Sequence, residues 1–133
     1  MINSINAYIK NQPRNVEIGF HIKRDGTFSP IRVGSTFSVE LGKPRHDSIA
    51  CFHTHTYLGM PEFSTPDILF GLREHHKFMI MKYGFRYYLV ELMGNPVLKA
   101  LYRNYCTEKH MKRKGALGRT IVEIAHETTI RCR

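Results

Sequence analysis

Residues 51–67 read CFHTHTYLGMPEFSTPD and join a predicted β-strand to a predicted helix. The apolar run SIACF leads into His53 and His55, which are separated by a single residue. Alternate side chains of a strand point to the same face, so both imidazoles are directed at one spot, about 6.6 Å apart along the chain. One metal ion can bridge two histidines at this spacing.

A helix is predicted over about 66–76, because Ser64, Thr65 and Pro66 precede an acidic residue, Asp67, and an apolar-periodic segment. A loop between strand end and helix start would return Asp67 to the histidine pair. Three such ligands leave tetrahedral zinc one open position, as in catalytic sites. With eight histidines in the chain, a chance H-x-H beside a plain polar loop explains the spacing equally well.

An acidic residue upstream is the next candidate. Residues 16–23, VEIGFHIK, alternate as a strand, and Glu17 lies on the face opposite its apolar row. Taken alone, Glu17 is typical of a solvated strand residue. Glu40, in a strand predicted over 36–41 (TFSVEL), is a rival general base, and spacing does not separate the two.

The string H-T-H, a loop and S-T-P-D resembles the metal-binding signature of the JAMM (MPN+) metalloprotease family, H-x-H-P followed by S-x-x-D. The match covers His53, His55, Ser64 and Asp67, and Glu17 in NVEIGF resembles the glutamate segment of the family. The resemblance implies zinc held by the two histidines and the aspartate, with Glu17 as general acid and base and Ser64 as oxyanion stabiliser.

The family resemblance also implies a fold and an activity. The expected fold is α/β, a mostly antiparallel mixed sheet flanked by helices in the three-layer architecture of JAMM/MPN and cytidine-deaminase-like proteins. The expected activity is zinc-dependent hydrolysis of peptide or isopeptide bonds, in a ubiquitin-like modifier or a protein precursor. The short chain is similar to compact prokaryotic or viral-type members.

Three alternatives stay open. The chain could be a non-catalytic MPN-like binding or scaffold module, or a RadC-like protein associated with nucleic acid. It could also be a structural zinc domain in which Cys51 closes the coordination sphere, although an apolar-flanked cysteine is more commonly a core residue.

Bulk properties limit these options further. The 133 residues predict one domain. The net charge of +9 predicts acidic partners such as nucleic acid, anionic lipid headgroups or an acidic protein face. Among these, the family resemblance favours a protein or peptide substrate over nucleic acid. Three cysteines without a C-x-x-C pattern favour a reducing compartment. The sequence has no apolar run that would cross a membrane and no signal-peptide pattern, so a cytoplasmic location is expected.

Secondary structure is also predicted for the rest of the chain. A helix is predicted over 2–11, a hairpin turn at Asp25-Gly26, and a strand over 28–33 (FSPIRV). Strands at 77–83, 85–93 and 97–103, separated by hairpin turns at Gly84 and at Gly94-Asn95-Pro96, are predicted to form an antiparallel meander. The basic stretch 103–119 is predicted to be a linker or solvated face, followed by a helix over about 120–130. His75 and His76 are expected on the surface, and His126 receives no role.

Overall fold

The fold is one six-stranded mixed sheet with four helices, as seen in a computed structural model that describes residues 1–44 and 46–132. The helices are α1 (Ile2–Ile9), α2 (Thr65–Arg73), α3 (Pro96–Thr107) and α4 (Met111–Thr128). The strands are β1 (Ile18–Lys23), β2 (Arg32–Val33), β3 (Ser48–His55), β4 (Phe78–Tyr83), β5 (Arg86–Glu91) and β6 (Ile130–Cys132). The predicted α/β class is confirmed.

The strand order is β2-β1-β3-β4-β5-β6, and only the β3–β4 neighbours run parallel. Helix α2 makes the crossover between these two parallel strands, as a parallel pair requires. The chain therefore leaves the carboxyl end of β3 through a loop and enters α2 beside that end. This is the region in which the histidine pair and Asp67 were expected to meet.

Each face of the sheet carries its own apolar cluster. On one face, Ile5 and Ile9 of α1 pack on Phe20 and Phe52, which alternate inward from β1 and β3. On the other face, the remaining three helices cover a second cluster that includes the fully buried Cys51. The fold thus has three layers: α1, the sheet, and the other three helices. Alternate side chains of β1 and β3 point into the two buried layers on either side of the sheet.

The third strand of the predicted meander is wrong, because residues 97–103 belong to helix α3. The Asn95 side chain accepts hydrogen bonds from the backbone N–H groups of Val97 and Leu98, and Pro96 occupies the first turn. Asn-Pro therefore acts here as a helix start rather than a hairpin turn. Leu98 is buried in the core, while Leu101 and Tyr105 follow at helical spacing against the same cluster.

Two further expectations need correction. Residues 36–41 form no strand: at the sheet edge the chain bends where the Ser35 N–H donates to the Ser38 carbonyl, and β2 comprises only two residues. The basic stretch 103–119 is not a linker but is helical over 103–107 and 111–119, with Lys114 lying over the ring of Tyr105. Among the described residues no helix has the length and apolar character needed to cross a membrane.

Candidate metal centre

Three side chains converge at the carboxyl end of β3. The Nε2 atoms of His53 and His55 are 2.9 Å apart, and Asp67 Oδ2 lies 3.1 Å from the first and 3.2 Å from the second. Both histidines are buried, and Asp67 is half-buried at the start of α2. Their juxtaposition, predicted from the sequence, is confirmed.

The spacing of these three donor atoms suits a single metal ion. Ligands around tetrahedral zinc, with bonds of about 2.0–2.1 Å, are about 3.3–3.4 Å apart. The separations of 2.9–3.2 Å are slightly shorter, so each donor needs to move by only a few tenths of an ångström. In the described part of the chain, this His-His-Asp group is the one that could hold a metal ion.

Hydrogen bonds from the backbone orient two of the ligands. His55 Nδ1 lies 2.7 Å from the Met60 carbonyl oxygen and donates to it, so in the neutral imidazole Nε2 is the unprotonated nitrogen that can bind a metal. The Ser64 N–H donates to Asp67 Oδ2 over 3.0 Å. These contacts fix the imidazole tautomer and the carboxylate orientation before any ion binds.

Ser64 serves as the N-cap of α2. Its Oγ accepts a hydrogen bond from the Asp67 N–H at 3.2 Å, and together with the reciprocal bond this forms a capping box. The hydroxyl proton of Ser64 has no acceptor among the described residues, and the side chain lines the cavity next to the metal ligands. The predicted helix start is confirmed, and Ser64 retains a free donor.

Glu17 lines the same cavity from the position directly before β1. The register pairs Gly19 with His53, and extending it by two residues places Glu17 opposite His55. Glu17 is buried as a residue, with 6% of its surface exposed, and its carboxylate has no hydrogen-bond donor in the described part of the chain. Burial raises the pKa of Glu17, while the nearby His53 and His55 pull it down. An unpartnered acid at this position is available to exchange protons.

Gly19 allows β1 and β3 to approach each other beneath the ligands. A Cβ atom at this position would be 2.6 Å from the Phe52 carbonyl oxygen and 3.2 Å from the His53 Cβ. Contacts that short require the backbone to shift. The glycine in the Glu17-Ile18-Gly19 segment therefore serves close packing rather than an unusual backbone angle.

The ligand charges stabilise one another in the metal-free protein. Burial opposes ionisation of Asp67, but His53 and the hydrogen bonds from both histidines and Ser64 outweigh it and hold the pKa of Asp67 below its usual range. Burial likewise opposes protonation of His55, yet the bonds to Asp67 and to the Met60 carbonyl raise its pKa. The carboxylate is thus already in the ionised form that a metal requires.

Cys51 was the candidate for a fourth metal ligand and Glu40 the alternative to Glu17 as general base. Cys51 is fully buried in the apolar cluster, and burial raises the pKa of its thiol, so a thiolate is disfavoured there. It is outside the group of converging ligand atoms, which favours the core interpretation over a fourth ligand. Glu40 also lines the cavity, but from an exposed loop position rather than from a strand.

The ligands open into a cavity of about 870 Å³. Its walls include Phe37, Leu58 and Met60, whose side chains are 58–67% exposed although they are apolar. Such a volume is typical of ligand-binding clefts, and exposed apolar groups around it favour binding of another molecule. The hydroxyl of Thr56, the residue directly after β3, donates to the Thr36 carbonyl at 2.8 Å and so links the wall around Phe37 to the end of that strand.

The sequence did not indicate where two other histidines, His126 and His76, lie. His126 of α4 lies 2.7 Å from the Phe63 carbonyl oxygen through Nε2, and therefore positions the residue before Ser64. His76, expected on the surface, is fully buried beside His21 with a ring-centroid distance of 5.6 Å. His75, which is exposed, has a φ of +57° and turns the chain inward after α2. A histidine directly after a helix end gives no local signal of burial.

No protein-family model, curated protein or solved structure matches the chain.

Proposed function

We propose that the protein is a zinc-dependent hydrolase of the JAMM type that cleaves peptide or isopeptide bonds. The proposal depends on one observation above all: His53, His55 and Asp67 bring their donor atoms within 3.2 Å of one another in the cavity that Glu17 and Ser64 also line. Two nitrogen donors and one oxygen donor suit zinc and leave it an open coordination position.

Glu17 and Ser64 have different roles in the proposed amide hydrolysis. A bound zinc ion supplies a Lewis acid that makes water nucleophilic near neutral pH. Glu17 accepts a proton from the attacking water and returns it to the amine nitrogen as the C–N bond breaks. The Ser64 hydroxyl donates to the oxygen on which negative charge develops, and one such donor is typically worth about 2.7–4 kcal/mol.

The shape of the cavity favours an extended polypeptide as substrate. Residues 37–43 form one wall outside the sheet. The backbone groups of Val39 and Glu40, which have no hydrogen-bond partner among the described residues, can pair with an added strand, while Phe37 and Met60 offer apolar contacts. A flexible tail, such as that of a ubiquitin-like modifier or a protein precursor, fits this mode. Cys51, Cys106 and Cys132 are all free thiols, which supports action in the cytoplasm.

Metal analysis tests the site before any substrate is known. We expect one equivalent of zinc in the wild type and in Glu17→Gln, and a loss of at least about a hundredfold in affinity in His55→Ala and Asp67→Ala. Retention of wild-type zinc affinity in both ligand variants would reject the centre.

Turnover is tested separately. Zinc-loaded protein is incubated with peptide and modifier-conjugate libraries beside Glu17→Gln, which keeps the metal but lacks the base. Cleavage by the wild type alone is the expected result. Equal cleavage by the two proteins would remove Glu17 from the mechanism, and zinc binding without any cleavage would favour the non-catalytic module.

A further inference from the structure

A second cavity of about 550 Å³ lies at the same end of the sheet. It is formed by the last turn of α1, the loop that follows it, the residues after β3 and the turn between β4 and β5. The Tyr57 and Phe85 side chains line it, 78% and 90% exposed. The cavity is large enough for two or three side chains of a bound chain.

The charge of this cavity is of one sign. Lys10, Arg14 and Lys82 line it, and no aspartate or glutamate does. The stretches that build most of it, 1–16 and 75–90, contain no acidic residue. Among residues 1–44 and 46–132, no carboxylate lies within 4.0 Å of these three cations. A cavity lined by one sign of charge concentrates ligands of the opposite sign.

The cations also disfavour one another in the absence of an anion. Burial lowers the pKa of Lys82, and the positive charge of Arg14 lowers it further. Lys82 Nζ contacts the Tyr87 ring face at 5.6 Å, which offsets only part of the cost of burying its charge. An anionic group bound between Lys82 and Arg14 would relieve this repulsion.

The cationic cavity adjoins the metal centre. His55 lines both cavities, and the turn closed by the Gly59 N–H to the Thr56 carbonyl lies between them. An extended chain advances about 3.3 Å per residue. Because His55 lines both cavities, a polypeptide that crosses the metal centre can extend into the cationic one.

We propose that the cationic cavity of Lys10, Arg14 and Lys82 binds acidic side chains of the polypeptide substrate, close to the cleaved bond. That the bound polypeptide is a substrate rests on the proposed hydrolase function, but the binding itself does not require turnover. It names the substrate class: chains with aspartate or glutamate clustered near the scissile residue.

Binding is measured by fluorescence anisotropy with zinc-loaded Glu17→Gln, which prevents turnover. The probes are a labelled peptide rich in Asp and Glu, the same peptide with Asn and Gln in their place, and a single-stranded oligothymidine. The test variant adds Lys10→Gln, Arg14→Gln and Lys82→Gln. The matched control adds Arg103→Gln, Lys112→Gln and Arg113→Gln, which remove the same charge from the exposed surface of α3 and α4.

We expect the test variant to bind the acidic peptide about tenfold more weakly and the control less than about twofold, with the difference shrinking as salt is added. The neutral peptide should not distinguish the variants. Equal losses in both variants, or none in either, would overturn the proposal. Tighter binding of oligothymidine, lost only in the test variant, would assign the cavity to nucleic acid instead.

If the test variant does not fold, the double variant Lys10→Gln/Arg14→Gln replaces it, because both of these residues are exposed and their substitution should not disturb the core. Circular dichroism verifies the fold, and this double variant should lose about fivefold. The two proposals fail differently. Peptide binding without cleavage by the wild type rejects the hydrolase and keeps the cavity. Cleavage of acidic and neutral substrates at equal rates by the wild type and by Lys10→Gln/Arg14→Gln/Lys82→Gln, with Glu17 retained, rejects the cavity alone.

Discussion

Replacing His76 with leucine should change how stability depends on pH. His76 is fully buried, and neither ring nitrogen has a partner in the described part of the chain. Burial, followed by the neighbouring His21, lowers the pKa of His76 to about 4 from 6.5. The unfolded chain therefore binds a proton below about pH 6.5 that the folded chain refuses until about pH 4.

The difference between the pKa of His76 in the unfolded and folded chains sets the sign and size of the change in the free energy of unfolding with pH. The free energy of unfolding falls as the pH drops through this window, and protonation of His76 has no effect above it. The loss is about 1 kcal/mol at pH 5.5 and about 2–3 kcal/mol at pH 4.5. His76→Leu abolishes this contribution and also removes two unsatisfied nitrogens, so it should match or exceed wild-type stability at pH 7.5.

Urea unfolding followed by far-ultraviolet circular dichroism measures the effect at pH 7.5, 6.5, 5.5 and 4.5, with chelator present. Titration of the metal ligands then occurs in both proteins and cancels in the difference. His75→Asn is the matched control, because His75 is exposed and asparagine tolerates its positive φ. Parallel pH profiles for wild type and His76→Leu would refute the argument that burial keeps this imidazole neutral.

Three further outcomes are expected. Gly19→Ala should lower the free energy of unfolding by about 1–3 kcal/mol in urea titration, because its Cβ would be 2.6 Å from the Phe52 carbonyl oxygen, whereas Gly115→Ala, with its nearest contact at 3.5 Å, should raise it. Ser64→Ala should cost about 0.5–2 kcal/mol through the lost cap, and Ser64→Thr should restore most of it; equal stability of all three would exclude the cap as a stabilising feature. Zinc at a hundredfold above its Kd should raise the free energy of unfolding by about 2.7 kcal/mol in the wild type and leave Asp67→Ala unchanged; identical shifts would place the ion elsewhere.

The three candidate metal ligands were predictable because their signals are local. Two histidines at strand spacing share a face whatever the rest of the chain does, and Ser64 three residues before Asp67 marks a helix start. The α/β class followed in the same way from alternating and helical periodicities. Asn95-Pro96 misled because the same dipeptide begins turns and helices, and only the burial of Leu98 against the core selects the helix.

The sequence by itself determined which residues could serve as ligands, where β1 and β3 run, and that the surface is basic. The tertiary structure alone decided that Glu17 is a buried acid facing His55 rather than a solvated one, since this depends on the β1–β3 register. It also decided that Lys82 lines the same cavity as Lys10 and Arg14, from which it is distant in the chain. Contacts between distant segments arise when sheet and helices bury their apolar faces together, and no local pattern records which side chains that packing brings into proximity.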